Sequence, residues 1–570
     1  MTVGTLFSTL DIGRAGLQVS QIQLDVTAHN IANVNKEGFS RQRASLKTND
    51  PLIRPYGALG RGPRVNDIAR LRESFLDEVI RQKFQDLGFV ETRSRFFARI
   101  EDLFQEPGTG GFSQSLNTYF DALSDFASNV EDLPVRVSLL SEASSLTTQI
   151  NTLAQRVATL RTNANEEVRG LVPEINSLSE RIAELNRRIR DSELTGRQAN
   201  DLRDDRDLLV DRLAQVVNIT YRERDDGQID VLLGGENLVR GDVFRELETV
   251  PDPGFDPERA DLLAVQFVDT GLPVNVTNGE LGGALNMRDQ VLVDLDAKLD
   301  SLASTLIYET NRIHTQGNGL VNIDTPLTSI HGVSGVFTPL SAAGLPFGFD
   351  DGSFDVVVYD SAGNVIEQQT INVVNGATSM FNLLADINAM AGASASFNGA
   401  DGTITVAPVG TNRIGFANDT SGVLAAIGLN PFFTGTDART IGVSELLIDR
   451  PEWVSSAFSL DTADTGDNTA ALALSALRSQ PVFAGGTQSI NEFYEGLVVG
   501  VGIDGRSNDA RLDVERAFVD DFQLRRQEVS GVNLDEEVTF LLQFQRAFEG
   551  SARVITVIDR LLETLINIVR

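Results

Sequence analysis

The sequence predicts a mainly α chain with an inserted β-rich region, an α+β protein, and three observations carry that expectation. Apolar residues recur at heptad spacing at both ends and through 146–216. Two stretches, 218–235 and about 330–440, alternate apolar and polar residues instead, with Gly, Asn and Asp at the turns. Short connections between the helical stripes imply an antiparallel bundle of long rods.

At the N-terminus Val3, Leu10, Leu17, Leu24 and Ile31 recur every seven residues, and Ile12, Val19 and Val26 form a second series about 160° around the helix. One intramolecular partner cannot cover two opposed stripes, so neighbours are expected on both sides; a central helix in a large core is the competing reading. The helix ends in "AHNIANVNKEGFSRQ". Asn30 and Asn33 share a face and each costs roughly 0.6 kcal/mol relative to Ala, which a solvent-facing site has little reason to accept. Their amides are therefore expected to bond helix carbonyls and adjoining chains. Asn35 and Gly38 suit the turn that stops the helix. Residues 36–66 read as an extended loop, and 35–72 carry nine Arg or Lys against Glu37, Asp50 and Asp67, a basic strip that suggests partner contacts.

A helix is expected over 67–106, stopped before Pro107. Three further stripes follow: Leu146, Ile150, Leu153, Val157, Leu160 and Ala164; then Ile175, Leu178, Ile182, Leu185 and Ile189, with Pro173 just before it in a first-turn position; then Leu202, Leu209, Leu213 and Val216. Residues 218–235 form a hairpin with Asp226-Gly227 at its tip. A helix over about 281–315 turns Leu295, Leu299, Leu302, Leu306 and Ile313 inward. The β-rich region holds strands such as "FDVVVYD" and "TITVAP" and one short helix near 378–390. Helices resume after 468. The C-terminal stripe runs Leu534, Leu541, Phe548, Ile555, Leu562, Val569, with Val538, Ala552 and Ile566 on the alternate seam and the polar Gln545 and Asp559 setting register. Asn533 and Glu536 read as a capping box.

These elements imply four domains: 1–66 with 532–570, a terminal coiled coil; 67–217 with 281–330 and 441–531, a helical bundle; 218–280, a small β element; and 331–440, a β-rich outer insertion. The two ends are expected to lie side by side.

The chemistry is bounded by composition. A formal charge of −32, from 48 basic and 80 acidic residues, opposes nucleic-acid binding. There is no cysteine, so disulfides and thiolate sites are excluded. No apolar run is long enough to span a membrane, and the opening "MTVGTLFSTLDIGRAGL" lacks the pattern of a cleaved signal, so export, if any, is expected by another route. His29, His314 and His331 start no metal-ligand spacing. "GVGIDG" at 500–505 matches a dinucleotide fingerprint but lacks the second strand that should follow, and reads as a glycine-rich turn. No catalytic residue, metal site or cofactor is expected, and the chain is read as non-enzymatic.

"AHNIANVNKEGFSRQ" and "SGVNLDEEVTFLLQFQRAFEGSARVITVIDRLLETLINIV" resemble the N- and C-terminal signatures of the rod, hook and hook-associated family of bacterial flagellar axial proteins. The "SRQ" and "SGVNLDEE" segments, with 280–317, 429–438 and 467–480, resemble the members of that family that join hook to filament; 335–425 match nothing recognised. The resemblance implies a structural role at the distal end of the hook, with self-association into a ring. It implies as partners the hook protein, a second junction protein and an export chaperone at the C-terminal region, and type III export to an extracellular position on the flagellum. The expected assembly residues are Leu10, Leu17, Leu24, Asn30, Ile31, Asn33, Asn35, Gly38, Leu534, Val538, Leu541, Phe548, Ile555, Leu562 and Val569. A hook or distal-rod subunit, an adhesin built on the β-rich insertion, and a cell-wall hydrolase on an axial scaffold are the alternatives.

Overall fold

A computed structural model describes residues 3–54, 57–104, 111–194, 196–252, 262–460, 465–483 and 485–569, without the side chains of 3–6, 565, 568 and 569. The chain begins with helix α1 (Val3–Ala32), long because nothing in its apolar repeat is interrupted by proline. Gly38, at φ +75°, then turns the chain, and an added Cβ there would touch Leu208 at 3.4 Å. The stretch expected as an extended loop is instead two nested antiparallel ladders: β1 (Gln42–Thr48) carries a bulge after Ser45, the inner pair is β2 (Leu52–Arg54) and β3 (Gly57–Leu59), and β4 (Pro63–Arg70) pairs with β1. Because Pro63–Arg70 is committed to that ladder, the next helix, α2, starts at Ser74 rather than near 67 and runs to Phe104.

Helix α3 (Phe112–Ser128) precedes α4 (Leu133–Glu193), 61 residues with Pro173 inside it. The expected break at Pro173 does not occur. An interior proline costs roughly 3 kcal/mol, but Val168, Leu171, Val172, Ile175, Leu178 and Ile182 form one buried stripe across it, and each buried side chain returns about 1.5–3 kcal/mol. Helix α5 (Asn200–Val216) leads into a four-stranded meander, β5 (Ile219–Glu223), β6 (Ile229–Leu233), β7 (Glu236–Arg240) and β8 (Val243–Phe244), then the ladder of β9 (Leu247–Pro251) with β10 (Leu263–Phe267). The helix expected over 281–315 is α6 (Gly279–Asn286), a π turn at Met287–Val291, and α7 (Leu292–His314). The π turn carries the buried Arg288, whose Nη1 donates to Asn165 Oδ1 at 2.9 Å and to the Leu263 carbonyl at 2.6 Å.

The β-rich region contains β11 (Leu327–Thr328), β12 (Gly352–Tyr359), β13 (Val365–Val373), the short helix α8 (Met380–Asn388), β14 (Ala393–Asn398), β15 (Thr403–Pro408) and β16 (Arg413–Ala417). Two three-stranded sheets result, ordered β13-β12-β16 and β11-β15-β14. After the short elements α9 (Val423–Ile427), β17 (Phe433–Thr434), β18 (Gly442–Val443), α10 (Glu445–Asp449) and α11 (Thr469–Ala476) come the last two long helices, α12 (Ile490–Ser530) and α13 (Leu534–Val569). The glycine cluster at 500–505 is not a turn: it lies inside α12, where nothing comes within 4 Å of a Cβ added at Gly500 or Gly502.

Contacts divide the chain into two units. The first holds 1–95, 162–288 and 507–570; the second holds 96–161 and 289–506. The core of the first packs the buried stripe of α4 and α5 against the meander, with Ile229, Val231, Leu233, Val239 and Phe267 at its centre. In the second, His314 sits edge-on to Phe432, and Phe433 and Tyr119 complete a buried aromatic group. Among the described residues no helix is long and apolar enough to cross a membrane.

Candidate assembly interface

The terminal helices α1 and α13 run antiparallel. Gly13 lies against Ile555, Gly16 against Ser551, and Asn30 against Glu537, so the contacts step along the two helices in opposite directions. The approach is close because the facing residues are small. A Cβ on Gly16 would fall 2.8 Å from Ser551 Oγ, and one on Gly13 would fall 3.1 Å from Ile555 Cγ1. Ser20 keeps the narrow face narrow by returning its hydroxyl to the Gly16 carbonyl at 2.9 Å.

The seam of α13 combines the expected Leu541, Phe548, Ile555 and Leu562, all partly covered, with Glu537, Phe544, Ser551 and Ile558. The alternate series is therefore displaced by one residue from the sequence expectation. Val538 is 49% exposed, Leu534 is 47% exposed, and Gln545 and Asp559 face away from the seam. Outside the seam α13 nonetheless exposes Leu542, Val557, Leu561 and Ile566, while Val554, though 42% exposed, borders the contact at Gly13. On α1, Val19, Val26 and Asn30 are buried, while Leu10, Leu17, Leu24 and Ile31 are half-covered and Phe7 is open. Val569 and Val3 fall outside the side chains described.

The base of the pair is a polar clasp. Asn30 Nδ2 donates to the Gln42 carbonyl at 3.0 Å and to Glu537 Oε2 at 3.1 Å, and Asn30 Oδ1 accepts from the Gln42 N–H at 3.0 Å. Arg41 Nε donates to Glu537 Oε1 at 2.7 Å and its Nη1 to Glu536 Oε2 at 2.9 Å, while the Arg41 N–H reaches the Ser530 carbonyl. A carboxylate as buried as Glu537 needs such partners. Asn30 thus finds these partners within its own chain. Asn33 is half-buried and donates to the His29 carbonyl at 2.9 Å; Asn35 and Gly38 are exposed. Asn533 caps α13 by accepting from Asp535 N–H, but Glu536 turns to Arg41 rather than completing a capping box.

Much of the basic strip also finds its partners within the chain. Arg70 Nη1 bridges Asp204 and Asp207, both at 2.8 Å; Arg72 reaches Asp207 and takes Asp77 through two bonds; Lys36 pairs with Asp205; beyond the strip, Arg81 and Arg526 share Asp211. Ser40 anchors the turn by donating its N–H and hydroxyl to Asp204. Burial alone would raise Asp207, but Arg72, Arg70 and Arg81 outweigh it and hold its carboxyl far below the usual range. Burial wins at Asp204, which is raised despite Arg70 and Ser40. The acids of α5 thus hold the start of the β1–β4 arm, and its outer residues Arg43, Lys47 and Arg64 stay exposed.

Between α1, the arm and α13 lies an open groove of about 770 Å³, with Val26, Leu46, Leu71, Phe540 and Phe544 among its lining residues. The two phenylalanines are stacked at 5.8 Å, and the Arg41 guanidinium sits over Phe540. Sequence reasoning missed Arg41, Glu537, Phe540, Phe544, Gly13, Gly16 and Ser551. The signal available for the last three was their small size on an otherwise apolar face. Among the described residues no cluster of three metal-ligating side chains forms.

The chain matches three family models: "Flagellar hook-associated protein FlgK helical domain" over residues 97–326, "Flagellar basal body rod FlgEFG protein C-terminal" over 525–568, and "Flagella basal body rod protein" over 10–39. It is 24% identical over 582 residues to flagellar hook-associated protein 1 of Bacillus subtilis, covering 98% of each chain. To the Escherichia coli protein of that name it is 26% identical over 587 residues, covering 98% of this chain and 100% of the other. The flagellar hook junction protein FlgK from Burkholderia pseudomallei has the same fold, with a TM-score of 0.50 at 18% identity, over 80% of this chain and 100% of that one.

Proposed function

This chain belongs to the flagellar hook-associated protein family, and on that premise we infer that it is a structural component of the bacterial flagellum, working at the junction of hook and filament. One observation carries the reading at the level of the molecule. The two terminal helices are clasped to each other, yet both keep an apolar outer face. Leu534, Val538, Leu542, Val557, Leu561 and Ile566 of α13 and Phe7 and Ile12 of α1 are all exposed. Even half-burial of such side chains is worth roughly 1 kcal/mol each, so a monomer leaves several kcal/mol unrealised. An axial assembly of helical pairs recovers it.

We assign the assembly contacts to that outer face, with Leu10, Leu17, Leu24 and Ile31 flanking it, and give Asn30 the indirect role of setting the angle at which the pair leaves the chain. Seam residues Leu541, Phe548, Ile555 and Leu562 build the pair itself. The partners we propose are further copies in a ring, the hook protein below and a second junction protein above. Family resemblance supports export through the flagellar type III apparatus, with a chaperone covering α13 until assembly. No enzymatic step is needed for any of this.

Removing residues 534–570 tests the function. Cells carrying the truncated chain should build hooks and release filament subunits into the medium, and normal filaments on such cells would overturn the reading.

A further inference from the structure

The meander of the first unit carries a recess that the axial role leaves unused. It has a volume of about 640 Å³ and is lined by Arg190, Arg224, Arg240 and Arg245, with Asp226 and Asp242 at its rim. Gln228 lines the same recess; it is 3% exposed, and its amide nitrogen Nε2 has no hydrogen-bond partner. Its oxygen and Arg224 Nη1 both lie against Gly241, 3.0 and 3.3 Å from the point where a Cβ would stand. The donor end of that amide is the group left over.

Two of the four guanidiniums are already committed. Arg190 Nη1 donates to Asp242 at 2.8 Å, and Arg245 holds Asp269 through bonds of 2.7 and 2.8 Å. The other two are not. Arg224 approaches Asp230 and Asp226 only at 3.7 and 3.8 Å. Arg240 is exposed, with no side-chain partner among the described residues. What remains uncommitted is two guanidiniums and one amide N–H, donors only, in a chain whose overall charge is −32.

We propose that this recess binds a phosphate-class oxyanion, either inorganic phosphate or the phosphoryl end of a monoester. Three donors arriving from two segments, the β5–β6 turn and the end of β7, suit a tetrahedral group with acceptors in several directions. A planar carboxylate offers two. Asp226 and Asp242 oppose an anion at the rim, which sets the expected dissociation constant near about 1 mM.

The test is calorimetric titration of the full chain with sodium phosphate at constant ionic strength, chloride replacing phosphate. Saturable binding is expected, weakened about tenfold by Arg240→Ala and by Arg224→Ala, as for loss of one charge-assisted contact, and unchanged by Arg43→Ala on the arm. Gln228→Leu should weaken it similarly, and the exposed Arg240 serves where that buried variant does not fold. A parallel titration with glycerol 1-phosphate separates the two sources: binding of both assigns the site to a phosphoryl end, and binding of inorganic phosphate alone assigns it to the free ion. Absence of saturation at tens of millimolar, binding by Arg240→Ala and Arg224→Ala as tight as by the unmodified chain, or tighter binding of succinate than of phosphate would overturn the proposal.

Discussion

Asn30 and Asn33 look equivalent in the sequence, three residues apart on one helix face, and the structure separates them. Asn30 satisfies the Gln42 N–H and carbonyl and touches Glu537, whereas Asn33 donates to a carbonyl of its own helix. Replacing Asn30 by Ala strands buried donors and acceptors, so urea unfolding of the first unit should lose about 2–3 kcal/mol. Asn33→Ala removes a local, half-buried bond and should cost less than about 1 kcal/mol. Equal losses would return both residues to plain helix termination. Local spacing could flag Asn30 as unusual; it could not name Glu537 or Arg41. Those partners lie far away in the sequence or across a turn, and nothing in the periodicity of either segment refers to the other.

At the scale of elements, α13 is apolar on more than one side, and that is why its seam was read one residue out. Heptad counting finds a stripe, but it does not say which flank meets α1. The choice falls to shape: Ser551, opposite Gly16, allows the backbones to close, and Glu537 meets Asn30 and Arg41. Gly13→Leu should therefore separate the pair without disturbing the bundle, seen as loss of filament retention by cells that still export the chain. Normal retention would place the helix contact elsewhere. Among the described side chains of α13 only Glu537 and Ile558 are buried, against the long buried stripe of α4. Amide exchange in the isolated chain should accordingly be fast through 534–569 and slow through 139–189. Strong protection of α13 in the monomer would contradict an assembly role for its outer face. Pro173 carries the same lesson, since local propensity predicted a break and buried apolar contacts on both sides kept one helix.

For the whole molecule, acid should act unevenly. His314 is fully buried, with Nδ1 toward the Asn430 carbonyl and Nε2 accepting from Ser455 N–H, and burial lowers it to about 4. Burial lowers His331 to about 4 as well. Both lie in the second unit. A histidine whose folded pKa is depressed binds its proton more readily when unfolded, so its neutral form stabilises the fold above about 6.5 and loses that advantage between 6.5 and 4. For His314 the loss is roughly 3 kcal/mol. Asp207 in the first unit is depressed far below the usual carboxylate range, so its pairing with Arg72, Arg70 and Arg81 persists over the same interval. Protection against exchange, with the slower intrinsic rate at pH 5 divided out, should fall first in peptides from 289–506 between pH 7 and pH 5, and His314→Gln should flatten the response. The sequence by itself determined the helical stripes, the β-rich insertion, the capped start of α13 and the family signatures, because each rests on neighbours within a few turns of chain. Only the tertiary structure decided which flank of α13 meets α1, that Asn30 clasps Glu537, and that the acids of α5 pair with Lys36, Arg70 and Arg72 of the basic strip. Those contacts join residues more than a hundred positions apart, where packing and charge pairing act without any period in the sequence to announce them.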